Sequence, residues 1–322
     1  MSGSERTPQA RPMGMVADMD EREGDAIPDG AVVVGIGNSD RDAETLTWAG
    51  NSAQRSGSPL HILHAHDLSA EMAAIDPVAG NAISLGPDGD LGNASLLAET
   101  LAGSRERWPD VPVTGSQPFV RPEQALIDAS QNARLVVVGA ARVSALQRLG
   151  LGRPSLAAAM HAKCPVVIVP QGSRANADGP VVVAIDGSAH SAAAAERAFW
   201  IAELRHAPLV ALTTWNVEVV DGMVVTTPGT DAWNATEAKY RAIADKVVDP
   251  LRETHPDVDC TVEVLRNSAA KVLTERSVDA GLIVMGTRGR GGFTGMLLGS
   301  VSQQVLETAS CPVMVVRAAP TS

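Results

Sequence analysis

RLVVVGA at Arg134–Ala140 returns as GLIVMGT at Gly281–Thr287, and this recurrence decides how the rest of the chain is read. Twenty-five residues beyond Gly139 and Gly286 stand CPVVIVP, Cys164–Pro170, and CPVMVVR, Cys311–Arg317. Upstream, AVVVGIGNS at Ala31–Ser39 is answered by PVVVAIDGS at Pro180–Ser188. Three blocks in the same order, at separations agreeing within two residues, identify a tandem duplication.

Each copy alternates two periodicities. The unbroken apolar runs Val32–Gly35 and Val181–Ile185 predict strands buried on both faces. Ala-rich stretches with helical spacing follow at Asp42–Ala53 and Ser191–Glu203, then second strands at Pro59–His66 and Pro208–Trp215. A longer helix is clear only in the second copy, from about Ala235 to Arg252. Third strands are predicted near Val111–Phe119 and Thr261–Leu265, with helices at Glu123–Gln131 and Ala269–Ser277. Final helices, Ser155–Ala162 and Ser300–Ala309, lead into the CPV strands. This alternation predicts an α/β fold of two doubly wound, Rossmann-like domains, each with a five-stranded parallel sheet. The predicted division is a polar, flexible tail over 1–29, a first domain over 30–170, a linker QGSRANADG over 171–179, and a second domain over 180–318.

Composition narrows the function classes. The formal net charge is −11 and the pI about 5.1, which disfavours nucleic acid and anionic lipid as partners. Cys164, Cys260 and Cys311 form an odd set without a CxxC pair, as expected of reduced thiols in a cytoplasm. No apolar run is long enough to suggest a membrane span. An Ala-rich, Arg-rich and Lys-poor composition fits a GC-rich bacterial genome.

In a doubly wound sheet, ligands bind beyond the carboxyl ends of the strands, where the strand order reverses. In the second copy that region is MGTRGRGGFTGMLLGSVSQQV, Met285–Val305. Its glycines allow close backbone approach, and Gly299-Ser300 opens a helix whose free N–H groups attract phosphate. Ser300 and Ser302 add hydroxyls, and Arg288 and Arg290 add counter-charge. The loop is neither a Walker A motif, having no GK[ST], nor a dinucleotide fingerprint.

The spacing Gly286-x2-Gly289-x9-Gly299-Ser300 resembles the ATP-binding motif of the universal stress protein family, in its tandem two-domain form. VVVAIDGS and SCPVMVV resemble that family's first and last strands, and the likeness covers 31–170 and 180–317. The resemblance implies ATP, with or without Mg2+, held mainly by the second domain. It implies Asp186 beside the adenosine, Ile185 and Thr214 around the base, and Met285 and Gly286 near the ribose and first phosphate. Gly289, Gly299, Ser300, Val301 and Ser302 would take the phosphates. It further implies pairing of the two domains through their last strands, with a homodimer as a further possible assembly. The leading function is a nucleotide-dependent stress-response regulator, a binding protein more than an enzyme. The alternatives are a slow ATPase or phosphotransferase, and a binder of cyclic AMP or another adenine nucleotide.

The first copy departs from this pattern within GAARVSALQRLGLGRPSL, Gly139–Leu156. Gly139 and Gly152 are kept and Ser155 matches Ser302, but Arg142 replaces Gly289, Arg153 replaces Ser300 and Pro154 replaces Val301. Proline removes an N–H from the helix end. Gly37 stands where Asp186 stands in the second copy, so the first site is expected to have lost ATP or to bind it weakly. His61, His64 and His66 cluster on one strand, and packing outweighs metal binding there. The remaining histidines, His190 among them, are scattered singly, and Trp200, Trp215 and Trp233 read as packing residues.

Overall fold

A computed structural model describes residues 26–37, 42–66, 94–140, 153–173, 178–217, 219–220, 223–224, 227–290 and 297–318. The first repeat contributes β1 (Val32–Gly35), α1 (Asp42–Ser56), β2 (Leu60–Leu63), α2 (Ala94–Arg107) and β3 (Val113–Ser116). It continues through α3 (Pro122–Ala129), β4 (Leu135–Ala140), α4 (Arg153–His161) and β5 (Val166–Pro170). The second repeat runs β6 (Val181–Ala184), α5 (Ala189–Arg205), β7 (Leu209–Trp215), β8 (Val219–Val220), β9 (Met223–Val224) and α6 (Asp231–Thr254). It closes with β10 (Cys260–Arg266), α7 (Ala269–Arg276), β11 (Leu282–Gly286), α8 (Ser300–Thr308) and β12 (Val313–Val316).

The strands form one ten-stranded sheet in the order β10-β7-β6-β11-β12-β5-β4-β1-β2-β3. Within each repeat all pairings are parallel, and both repeats have the same internal order. Alternate valines of the apolar runs point to opposite faces. Val32, Val34, Val181 and Val183 therefore join one core, and Val33 and Val182 join the other. Helices cover both faces, which is why these runs carry no polar alternation.

The duplication extends to backbone detail. α1 is followed by Gly57 at φ 62, and at the matching position α5 is closed by His206 at φ 49. The His206 N–H bonds the carbonyls of Ala202 and Glu203, so the left-handed turn is kept although its residue carries a Cβ. Between β7 and α6 stands a small β8–β9 ribbon, and α6 begins at Asp231, a turn before the predicted Ala235. That turn is capped by Thr230, whose hydroxyl accepts from Trp233 N at 3.3 Å.

The repeats meet where β5 and β12 pair antiparallel, with Val166, Val167 and Ile168 opposite Val315, Met314 and Val313. These apolar edges would otherwise template pairing with other chains. Arg317, just beyond β12, donates to Met160 O of α4 across the seam. Arg134 lies 4.4 Å above the Trp200 ring and Arg205 lies 5.5 Å from that of Trp48, again pairing one repeat with the other. No helix among the described residues is long and apolar enough to cross a membrane.

The histidine cluster is part of the packing. His61 is fully buried, with Nδ1 2.9 Å from Thr114 Oγ1 and Nε2 2.8 Å from Ser116 Oγ. His64 and His66 meet edge to face at 4.5 Å. Among the described residues no three His, Cys, Asp or Glu side chains are placed to hold a metal. Burial pushes the His61 pKa down from 6.5 to about 4. The unfolded chain therefore takes up this proton first, so the stabilisation is complete above pH 6.5 and is lost as pH falls towards 4. The expected loss across that window is about 3 kcal/mol. Urea midpoints at neutral and acid pH will read it, and His61→Gln will flatten that slope.

Candidate functional site

A cleft of about 500 Å3 opens beyond the carboxyl ends of β6, β7 and β11, on the second repeat. β6 and β11 are neighbours whose following connections diverge, so the crevice lies at the reversal of strand order. All ten residues singled out in this repeat line it: Ile185, Asp186, Thr214, Met285, Gly286, Gly289, Gly299, Ser300, Val301 and Ser302. One end is apolar, with Ala184, Ile185, Leu212, Leu273 and Met285. The other end gathers the glycine loop, Arg288, Arg290 and the first turn of α8.

Asp186 ties the two loops together. Its Oδ1 accepts from Ser188 N at 2.9 Å, and its Oδ2 accepts from Arg290 N at 2.8 Å, a partner 104 residues away. Burial alone would raise its pKa, but hydrogen bonds from Ser188, Arg290 and Ser191 outweigh it and hold the carboxyl below its ordinary value. The cap of α5 is not Asp186 but Ser188, whose Oγ accepts from Ser191 N at 3.2 Å. The carboxylate is thus free of capping α5 and instead fixes the Arg290 backbone over the cleft.

The glycines serve different ends. A Cβ on Gly289 would collide with Asp186 Oδ2, and one on Gly286 would stand 2.7 Å from His190 Cβ and 2.9 Å from its carbonyl carbon. Gly299 is different: a Cβ there meets nothing nearer than 3.5 Å, and its backbone is extended at φ −79, ψ 157. Its N–H donates to Thr287 O at 2.8 Å, which seats the start of α8 against β11.

The first turn of α8 carries no side-chain cap. Among the described residues no acceptor meets the N–H groups of Ser300, Val301 or Ser302, and all three residues line the cleft. These orphan donors and the positive end of the helix dipole suit an anion. Arg288 and Arg290 add positive charge in a chain that is acidic overall. His190, which the sequence did not mark, lies 3.4 Å from Arg288 Nη2 through its Nε2. Burial, then the charges of Arg288 and Arg317, lower the His190 pKa against a weaker opposing pull from Asp186, so the ring is neutral at pH 7.

Ser302 has a second task that sequence reading missed. Its hydroxyl donates to Gly286 O at 2.9 Å, and Ser155 does the same to Gly139 O at 2.7 Å in the first repeat. This shared clasp locks each final helix to its fourth strand, leaving Ser302 its N–H and lone pairs for a ligand.

The corresponding hollow of the first repeat is about 300 Å3. Ile36, Gly37, Asp42, Gly139, Pro154 and Ser155 line it. Gly37 leaves no carboxylate at the position of Asp186, and its N–H instead donates to Asp42 Oδ2 at 2.9 Å. Asp42 occupies the place of Ser191, so a negative charge stands at this rim where the second repeat has a hydroxyl. Arg153 opens α4, while Arg142 and Gly152 lie outside the described residues.

Residues 30–170 and 179–317 each match the model of the Universal stress protein family. The chain belongs to that family. A universal stress protein of Mycolicibacterium smegmatis is 33% identical over 291 residues, spanning 89% of this chain and 96% of that one. Another, from Mycobacterium tuberculosis H37Rv, is 32% identical over 301 residues with the same coverage. A crystal structure of a universal stress protein from Archaeoglobus fulgidus superposes with a TM-score of 0.64 at 19% identity, covering 91% of this chain and 98% of that one. At that identity the likeness speaks for the fold. Membership of the universal stress protein family assigns the chain a stress-response role and two tandem domains of that kind.

Proposed function

We propose that the second domain binds ATP and that the chain acts as a nucleotide-dependent regulator of the stress response. The observation that carries this reading is the uncapped α8 turn, which faces an apolar slot across a cleft bearing Arg288 and Arg290. A purine fits the slot lined by Ile185, Leu212, Thr214, Leu273 and Met285. The three N–H groups and two guanidiniums suit a chain of phosphates better than the single charge of cyclic AMP. Both oxygens of Asp186 accept backbone N–H bonds, and it is the one carboxylate among the lining residues. That favours binding over turnover, with Mg2+ carried in on the phosphates rather than held by the protein. The first repeat, short of Asp186's carboxylate and of one helix N–H, is assigned weak nucleotide binding or none.

Calorimetric titration of the purified chain tests this directly. The expected result is a single ATP per chain, with cyclic AMP failing to displace it. Two ATP per chain would return the first repeat to function, and no ATP bound would sink the proposal.

Asp186→Asn provides a finer check. An amide cannot present two acceptors to the Ser188 and Arg290 N–H groups, so the Arg290 loop loses its tether. ATP affinity is expected to fall about tenfold, or about 1.4 kcal/mol. Wild-type stability will also drop as pH falls below the ordinary carboxylate value of 3.8, because a lowered pKa lends stability only above it. The Asn variant will lose that portion of the acid dependence.

A further inference from the structure

A second cavity, of about 380 Å3, lies between the domains and shares no lining residue with the nucleotide cleft. It is bounded by Trp48, Asn51 and Arg55 of α1, Val169 of β5, and Arg205 of α5. Several of its polar groups are donors short of an acceptor, while Asn51 Oδ1 and Thr47 Oγ1 accept from Trp108 and Arg107, which lie outside the lining. Arg205 is largely withdrawn from solvent, with its guanidinium 5.5 Å from the Trp48 ring. Among the described residues its one hydrogen bond is a long 3.5 Å contact to Gly281 O. Burial, and then the like charge of Arg55, hold its pKa down to about 10. Arg55 makes no hydrogen bond or ion pair among the described residues. Trp48 Nε1 and Ser173 Oγ, both on lining residues, are buried without a partner among the described residues. The one lining carboxylate, Glu44, accepts the Gly172 N–H at 2.9 Å.

The duplication supplies a control. At the pseudo-symmetric place, Trp200 stands for Asn51 and Arg134 for Gly281, and their side chains stack at 4.4 Å. The hollow left there is about 20 Å3. The two repeats have therefore diverged so that one end of the seam is filled and the other is open. Simple loss of packing would leave an apolar void, whereas this opening is lined by guanidinium, indole and hydroxyl donors.

We propose that this interdomain cavity binds a small organic phosphate, its phosphate held by Arg205 and Arg55 and its carbon skeleton against Trp48 and Val169. Two guanidiniums on one cavity wall, neither ion-paired with a carboxylate among the described residues, are a phosphate-type pair. Trp48 Nε1–H and the Ser173 hydroxyl complete the donor set. The volume exceeds what a bare phosphate ion fills and falls within the range of small-molecule sites. Because α1 and β5 belong to one domain and Arg205 to the other, an occupant would brace the seam.

The test uses the full chain, with the nucleotide cleft blocked by Gly299→Arg so that failure of the ATP reading is scored separately. Ribose 5-phosphate and inorganic phosphate are the probes, followed by titration calorimetry and thermal melting. The expected result is that ribose 5-phosphate binds wild type and Gly299→Arg alike and raises both melting temperatures. Binding should weaken at least tenfold in Arg55→Gln, whose exposed side chain is not needed for folding, and in Trp48→Phe, which keeps the ring but removes the N–H. Retained binding in both variants, or no binding of either probe at millimolar concentration, overturns the proposal. Binding of inorganic phosphate alone overturns the assignment to an organic ligand.

Discussion

Gly299→Arg will abolish ATP binding, weakening it at least a hundredfold, while Gly299→Ala will leave it within about threefold of wild type. A hundredfold is about 2.7 kcal/mol. The backbone at 299 is extended, and a Cβ there has ordinary clearance, so alanine is accommodated and the helix start stays in place. Arginine is equally compatible with that backbone, and its long chain enters the cleft that residue 299 lines. Gly289→Ala should behave in the opposite way. Its first carbon strikes Asp186 Oδ2, the acceptor of the Arg290 N–H, so even a methyl displaces the loop. A loss of more than about tenfold is expected. Calorimetry on the three variants, with melting temperatures as a folding control, separates the roles. If Gly289→Ala binds ATP as wild type does, the Asp186 tether is not part of the site.

Val167→Asp will destabilise the whole molecule by about 4 kcal/mol, the range of an unpaired charge in a packed interior. Val167 is fully buried at the centre of the seam, paired with Val137 of β4 on one side and Met314 of β12 on the other. No basic group is paired with it in the sheet, so the aspartate must take up a proton or pull the strands apart. Val167→Ala, which removes two methyl-sized groups without adding charge, should cost about 2 kcal/mol. Urea unfolding checks both values. If the seam is the weak joint, Val167→Asp will also speed cleavage near the linker in limited proteolysis.

The fold was legible because its signals are local. Runs such as Val32–Val34 and Val181–Val183 need helices on both faces, and their recurrence marks the tandem duplication. Gly57 and His206 occupy one turn, but only the glycine announces it, since a histidine at positive φ leaves no mark in composition. The stretch near Val111–Phe119 predicts a longer third strand than the observed Val113–Ser116, because Phe119 and Val120 are exposed rather than buried. The cleft was legible as a set of residues, since glycines and a serine at fixed spacing mark a backbone that must approach something. Which glycine is crowded was not legible. Gly289 is pressed by Asp186, about a hundred positions away in the chain, and Gly286 by His190. The Ser302–Gly286 clasp, the Arg134–Trp200 stack and the Arg205 cavity are likewise contacts between distant positions, which periodicity does not encode.

Because β5 and β12 run antiparallel inside a single sheet, the carboxyl ends of the two sets of strands leave the slab in opposite directions. The cleft of the second repeat and its first-repeat counterpart therefore open at opposite poles, separated by the full length of the strands. With an acidic rim at one pole and a basic cradle at the other, duplication followed by divergence has given the molecule a direction. On the proposed reading, a second protein meeting it end-on would find a nucleotide at one pole and bare protein at the other. A symmetric pair of identical subunits has no such front and back to offer.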